Sequence, residues 1–164
     1  MIGVLYLHNK AQVSGGERGL LALWENLDRS RFRPFLAVPE EGLLAEKARA
    51  LGVGVSVIPV PAFRPWHVVG LWRAGQALAR LVRENGICVI HSYTPRNNLL
   101  SALVGKRAGA AVVWHERNLT YGREWDVSAM LASLPDAVIC NSAAISRRFV
   151  KKGAIPAKVR VIYN

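Results

Sequence analysis

Seven short, almost continuously apolar runs punctuate the sequence, and a stretch with helical periodicity lies in every interval between them. The runs are "IGVLYLH", "RPFLAVP", "VGVSVIPV", "ICVIHS", "AVVWHE", "AVICNS" and "VRVIYN". A strand that is apolar on both faces must be covered on both faces. Strands that alternate with helices are joined by crossovers, which make neighbouring strands parallel. The pattern therefore predicts an α/β fold: a doubly wound, mostly parallel sheet with helices on both faces.

The first helix is expected from about Ser14 to Leu27, with Leu20, Leu23, Trp24 and Leu27 at helical spacing. "GLLAEKARALG" reads as a short helix closed by Gly52. "LWRAGQALARLVRENG" reads as a longer one closed by Gly86, with Leu71, Ala74, Leu78, Leu81 and Val82 on one side. Three more helices are expected over about 97–108, 124–133 and 143–152. "PAFRPWHVVG" carries two prolines, two aromatics and a histidine and reads as a loop or lid. With 164 residues, 51% of them hydrophobic, the chain suits one compact domain. No apolar run approaches the roughly 18 residues of a spanning helix. "MIGVLYLHNK" is short for a signal-peptide core and lacks basic residues before it, so it reads as a strand and a cytoplasmic setting is expected. Cys88 and Cys140 each lie in an apolar run and are expected to be buried thiols. The four histidines lack ligand spacing, so no metal is expected.

In open parallel sheets, ligands bind beyond the carboxyl ends of the strands, where strand order reverses. The first strand ends at His8 and Asn9 and leads to Gly15 and Gly16. The fourth ends in "HSYTPRNN", from His91. The fifth ends in "HERN", with His115, Glu116 and Arg117, and the sixth in Asn141 and Ser142. Polar and cationic groups gather at this rim, while the strand starts are plain. Ser14 and Glu17 have the spacing of a capping box, which starts the helix at Gly15. Two glycines at a helix mouth are either a tight turn or a means of bringing an anion close to free N–H groups. Their place after the first strand favours phosphate. The dinucleotide fingerprint is not met by "GGERG", and no Gly-Lys-Ser/Thr Walker sequence occurs.

A formal charge of +11, with arginine well ahead of lysine, calls for an anionic partner. Arg73, Gln76, Arg80 and Arg83 recur at helical intervals, opposite Leu71, Leu78 and Val82. This stripe is either a solvated face or, with Trp66 nearby, a membrane or other anionic-surface contact. Nucleic acid is disfavoured, since no RNP-like motif accompanies the arginines.

Strand, loop, "GGER" and amphipathic helix in this order resemble the N-terminal half of retaining glycosyltransferases of the two-domain B fold, family 4. Two later segments carry the same resemblance. "ICVIHSYTPRNNLLSALVGKRAGAAVVWHERN" is similar to the family's "D-V-V-H-S-H…N-x-L-x-x-L-A-A-R-L-x-G-x-P-V-V-x-S-E-R-N". "DAVICNSAAISRRFVKKGAIPAKVRVIYN" is similar to its "D-x-V-I-x-N-S…x-x-F-x-x-x-G-x-P-x-x-K-I-x-V-I-Y-N-G-V-D". Together they cover nearly the whole chain.

The resemblance implies a Rossmann-like, acceptor-binding N-terminal domain spanning 1–164 and ending at the interdomain hinge, with the donor-binding domain beyond it. It implies sugar transfer from a nucleotide-sugar donor to an acceptor hydroxyl with retention, without metal or cofactor; alone, such a domain is expected to be inactive. The acceptor is expected to be a lipid-linked or cell-envelope glycan, met at the inner membrane face. Gly15 and Gly16 match the loop that takes the donor diphosphate. His115, Glu116, Arg117, His91 and Asn9 are expected on the acceptor and donor-sugar side of the cleft. Many relatives carry a histidine near the end of the fifth strand; His115 is the candidate, although the "S-E-R-N" subgroup has serine there. Arg117 reads either as acceptor-facing or as an ion-pair partner. Asn141 and Ser142 are expected to fix a loop. Two alternatives remain open from the residues: a non-catalytic module for a phosphorylated or glycan ligand, and a B-fold nucleotide-sugar epimerase.

Overall fold

A computed structural model describes residues 1–62, 64–118, 126–152 and 155–163. The strands are β1 (Ile2–Leu7), β2 (Phe32–Val38), β3 (Gly54–Val57), β4 (Ile87–Ser92), β5 (Ala111–Glu116), β6 (Ala137–Cys140) and β7 (Val159–Val161). The helices are α1 (Gly15–Glu25), α2 (Leu43–Ala50), α3 (Val68–Glu84), α4 (Pro95–Ala108), α5 (Val127–Met130) and α6 (Ala143–Lys151). The strands form one sheet in the order β3-β2-β1-β4-β5-β6-β7, parallel throughout. Strand order reverses once, between β1 and β4, and that reversal opens a crevice at their carboxyl ends.

Alternation along the strands divides the core between two layers. Val4, Tyr6, Leu36 and Val38 face α1 and α2, where Leu20, Trp24, Leu44, Ala45 and Ala48 are buried. Leu5, Leu7, Phe35, Ala37 and Ile90 face α3 and α4, against Ala74, Leu78, Val82, Leu100 and Val104. The second layer continues past β5, where Val112, Trp114, Val138 and Cys140 meet Ile145 and Phe149 of α6. Gly52 and Gly86 follow α2 and α3 with φ of +68° and +59°, as expected of left-handed helix closures.

Several expectations are corrected. Cys140 is buried, but Cys88 is exposed. Gly3 pairs with Ile87 and Val4 with Val89, so Cys88 is the extra residue of a bulge and is turned out of the core. Only part of the 61–70 segment is loop. Pro65–His67 forms a 3-10 turn and Val68–Gly70 is the first turn of α3, which starts three residues before Leu71; Phe63 lies outside the described residues. The helix expected over 124–133 is the four-residue α5, with residues 124 and 125 outside the described residues. α4 starts at Pro95, two residues early, because Thr94 caps it by accepting the Asn97 N–H.

Candidate functional site

The crevice between β1 and β4 is built from three strand ends on the α1 side of the sheet. Tyr6 pairs with His91, and the next residues on that face are His8, Tyr93 and His115. Their rings form a continuous stack. Tyr6 lies 5.4 Å from both Trp24 and His91. His91 lies 4.7 Å from Tyr93 and 5.3 Å from His115, nearly parallel to each. Tyr93 is 5.2 Å from both His115 and His8. Residues two apart on a strand share a face, which is why one strand pattern brings these rings together.

Helix α1 enters this crevice end-on. Ser14 and Glu17 form the expected capping box, and the Glu17 carboxylate accepts the Ser14 backbone N–H at 2.9 Å and the Ser14 hydroxyl. Its other oxygen lies 3.4 Å from His8 Nε2. Burial raises the Glu17 carboxyl, yet the Ser14 hydroxyl, the backbone N–H groups and His8 together hold it below its ordinary range. The first N–H groups of α1 have no acceptor within the helix and point toward the crevice.

Gly16 lies against the side chain of Arg117. A Cβ there would meet Arg117 Nη1 at 2.5 Å, whereas a Cβ at Gly15 would meet nothing within 4 Å. Gly16 makes room for the Arg117 guanidinium, and Gly15 leaves the helix end open. Arg117 is 4.9 Å from the Tyr93 ring centroid, a cation–π distance, and Asn141 Nδ2 holds its carbonyl oxygen at 3.4 Å. Its Nε has no hydrogen-bond partner, and no carboxylate pairs with it, among the described residues. A guanidinium against the positive end of a helix is unfavourable unless an anion shares the two.

The imidazoles stay neutral. Burial, then His115 and Arg117, pull His91 down to about 3; burial and Arg117 pull His115 down to about 4. Burial also lowers His8, against the pull of Glu17. Both ring nitrogens of His115 and Nε2 of His91 lack partners among the described residues. A neutral imidazole has one donor and one acceptor nitrogen, and these three buried nitrogens leave that capacity unused. A buried histidine with a lowered folded value stabilises the fold above its unfolded value, near 6.5, and that stability drains as pH falls toward the folded value. We expect His91 to contribute a loss of about 1.4 kcal/mol per pH unit between roughly pH 6 and 4. Urea midpoints across that range should fall less steeply in His91→Phe; an unchanged slope would show that His91 does not titrate on unfolding.

Glu116 faces the other way from its neighbours. It is 6% exposed, and its oxygens accept from Asn98 Nδ2 at 2.8 Å and Arg148 Nη2 at 3.1 Å. Arg148 also pairs with Asp126 at 2.9 Å, and Ser92 donates to Asn98 at 2.7 Å. This buried network ties β4, β5, α4 and α6 together beneath the crevice. Arg148 was not legible as its centre, because "SRRF" reads as an ordinary amphipathic helix. Asn9 is exposed at the rim, and Ser142 caps α6 by accepting the Ile145 N–H. Gly15, Gly16, His91, His115 and Arg117 thus converge, while Arg73, Arg80, Arg83 and Trp66 lie on α3 and the turn before it. Arg80 pairs with Glu84 at 2.7 Å, so the basic stripe is partly neutralised. Among the described residues, no group of three or more His, Cys, Asp or Glu is placed to hold a metal, and no helix is long and apolar enough to cross a membrane.

A Rossmann-like parallel sheet with a glycine-rich helix start at its single order reversal is the architecture of one half of a B-fold glycosyltransferase. Its fold is shared with Anabaena HepE solved with UDP-glucose, at 19% identity and a TM-score of 0.79, covering 100% of this chain and 44% of that one. A glycosyltransferase from Rickettsia africae matches at 15% identity and 0.76, covering 99% and 43%. A UDP-N-acetylglucosamine 2-epimerase matches at 12% and 0.72, covering 98% and 47%, so the fold alone does not separate transferase from epimerase. Residues 13–164 match the model of Glycosyltransferase Family 4, and the chain belongs to that family. It spans less than half the length of these structures. No curated protein sequence matches it.

Proposed function

We propose that this domain serves a glycosyltransferase that moves a sugar from a nucleotide-sugar donor to an acceptor hydroxyl with retained configuration and without a metal. The observation that carries this reading is the Arg117 guanidinium set against the open N-terminus of α1 through the space left by Gly16. Two sources of positive potential meet where only an anion relieves them, and the donor's leaving group is a diphosphate. In the reaction the bond from the anomeric carbon to the phosphate oxygen breaks and one to the acceptor oxygen forms. The acceptor proton passes to the departing phosphate, on the same face. His115 and His91, neutral at working pH, offer hydrogen bonds to sugar and acceptor hydroxyls and take no charge themselves. The acceptor is a lipid-linked or cell-envelope glycan, met in the cytoplasm at the inner membrane face. Support for that part comes from the +11 charge and the basic α3 stripe.

The test is a transfer assay on the complete gene product with UDP-, GDP- and ADP-sugars. Turnover of one donor with an α-linked product from an α-linked donor is expected. Free epimerised nucleotide sugar as the sole product would put the epimerase in its place. Binding of a phosphorylated glycan with no turnover would leave a non-catalytic module.

A further inference from the structure

Two adjacent arginines of α6 have opposite surroundings. Arg147 is exposed, whereas Arg148 is turned inward beneath the crevice. Its guanidinium meets the end of β5 and the chain beyond it. Nη2 donates to the Glu116 carboxylate at 3.1 Å and Nη1 to the Asn118 carbonyl at 3.0 Å, while Nε lies 2.9 Å from the Asp126 carboxylate. Asn118 and Asp126 stand on either side of residues 119–125, so one cation ties the chain at both points. Arg117 lies between two of these partners, and Asn141 holds its backbone from the same side. Asn141 Nδ2 donates to the Arg117 carbonyl at 3.4 Å, and the Asn141 backbone N–H donates to the Glu116 carbonyl at 3.3 Å. Four hydrogen bonds from Asn141 and Arg148 thus fall on three successive residues, Glu116, Arg117 and Asn118.

The side chain of Arg117 is held far less firmly than its backbone. It touches the Tyr93 ring and the space over Gly16, and its Nε has no partner among the described residues. Its guanidinium ends a long side chain, so a slight turn of the backbone at Arg117 is magnified at Nη1. The positive end of α1 repels that guanidinium and favours such a turn. A grip on the three residues around Arg117 opposes it. The choice of an arginine for the grip has a geometric reason. A planar fork serves Glu116 and Asn118 together at fixed angles, which the point charge of a lysine does not do. A buried ion network adds little net stability over apolar packing of the same volume, and what it supplies here is direction.

We propose that Arg148 is a positioning residue for Arg117: with Asn141 it clamps the backbone of residues 116–118 from beneath the crevice and so holds the Arg117 guanidinium over Gly16 against the repulsion of α1. Its effect on transfer rests on the reading of Arg117 as the group that meets the donor diphosphate. Arg148 touches no substrate in this scheme. It acts through the main chain of its neighbour, and the aim of the guanidinium is set by α6 before an anion arrives.

The experiment is a double-mutant cycle on the complete gene product. Arg148→Lys and Asn141→Ala are each made alone and together with Arg117→Ala. With Arg117 present, Arg148→Lys should lower kcat roughly 10–100-fold and Asn141→Ala about threefold. In the Arg117→Ala background neither should change kcat by more than about twofold, because the group they position is gone. A role confined to holding the domain together would lower the rate equally in both backgrounds. A second readout needs no turnover. Nitrogen-15 relaxation at Arg117 Nε, assigned by its loss in Arg117→Ala, should show greater fast motion in both variants than in the parent. Circular dichroism checks folding. If Arg148→Lys does not fold, Asp126→Asn takes its place in the cycle, since asparagine keeps an acceptor for the Ala129 N–H while removing the charge beside Nε. Equal losses in both backgrounds, or unchanged motion at Arg117 Nε, overturn the proposal. An Arg117→Ala variant as active as the parent overturns the phosphate-facing reading of Arg117 instead, and the motion at Nε still decides whether Arg148 positions it.

Discussion

Replacing Arg117 with alanine should lower kcat for sugar transfer by the complete gene product roughly 10²–10³-fold, the loss that follows removal of one preorganised donor aimed at developing charge. The guanidinium stacks on Tyr93 and faces the mouth of α1, so it is in place before the donor arrives and needs no reorganisation. Gly16→Val should reproduce the loss. Its side chain would occupy the position 2.5 Å from Arg117 Nη1, and the guanidinium, the far end of a flexible side chain, would swing away. The fold should survive, since the displaced atoms are not backbone. Because both changes remove the same interaction, the double variant should be little worse than either single one. Steady-state kinetics with a saturating acceptor decide the matter. A kcat that stays within twofold of the parent, by about 0.4 kcal/mol, would place the leaving phosphate elsewhere.

Arg148→Ala should destabilise the domain by about 3–5 kcal/mol, the usual effect of removing one partner of a buried ion pair. The Arg148, Glu116 and Asp126 side chains are 14%, 8% and 12% exposed, so water cannot replace the lost cation. Burial already raises the Glu116 carboxyl above its ordinary value of 4.5, against Arg148, Ser128 and Asn98, which pull it down. Without Arg148 the folded value rises further. A carboxyl raised on folding favours the folded state below its unfolded value, and that advantage is lost as pH rises through the folded value. The gap between variant and parent, measured by urea unfolding, should therefore narrow as pH falls from 7 toward 4.5. A gap that is constant with pH would mean that Glu116 is not the group left uncompensated.

Much of the architecture was legible because its signal is local. Apolar runs such as "ICVIHS" and "AVVWHE" coincide with β4 and β5, residue for residue. The helical intervals between them require crossovers, hence parallel strands. Strand ends were legible too, so His91, His115 and Arg117 were found as rim residues. Where local propensity was silent, the reading slipped. Cys88 looks like any strand residue until the bulge against Gly3 and Val4 turns it outward. Trp72 falls on the same helical flank as Arg73 and Gln76, and its exposure was open to inference from spacing alone, had the opposite face of α3 been followed as well.

Side-chain direction at the site was the part that no pattern of one strand reveals. Glu116 and Arg117 are adjacent, and strand alternation sends them to opposite faces, one into a buried network and the other over α1. Which face held the crevice depended on where α1 and α6 packed, and that is settled by contacts between segments distant in sequence. By itself the sequence determined the layered sheet, its parallel connectivity, and the glycines at the helix mouth, because backbone propensity and apolar periodicity act over a few residues. Only the tertiary structure decided that Gly16 lies against the Arg117 guanidinium and that three imidazoles and two tyrosines stack into one wall. Each of these depends on close approach between strands or loops that the chain brings together only after folding.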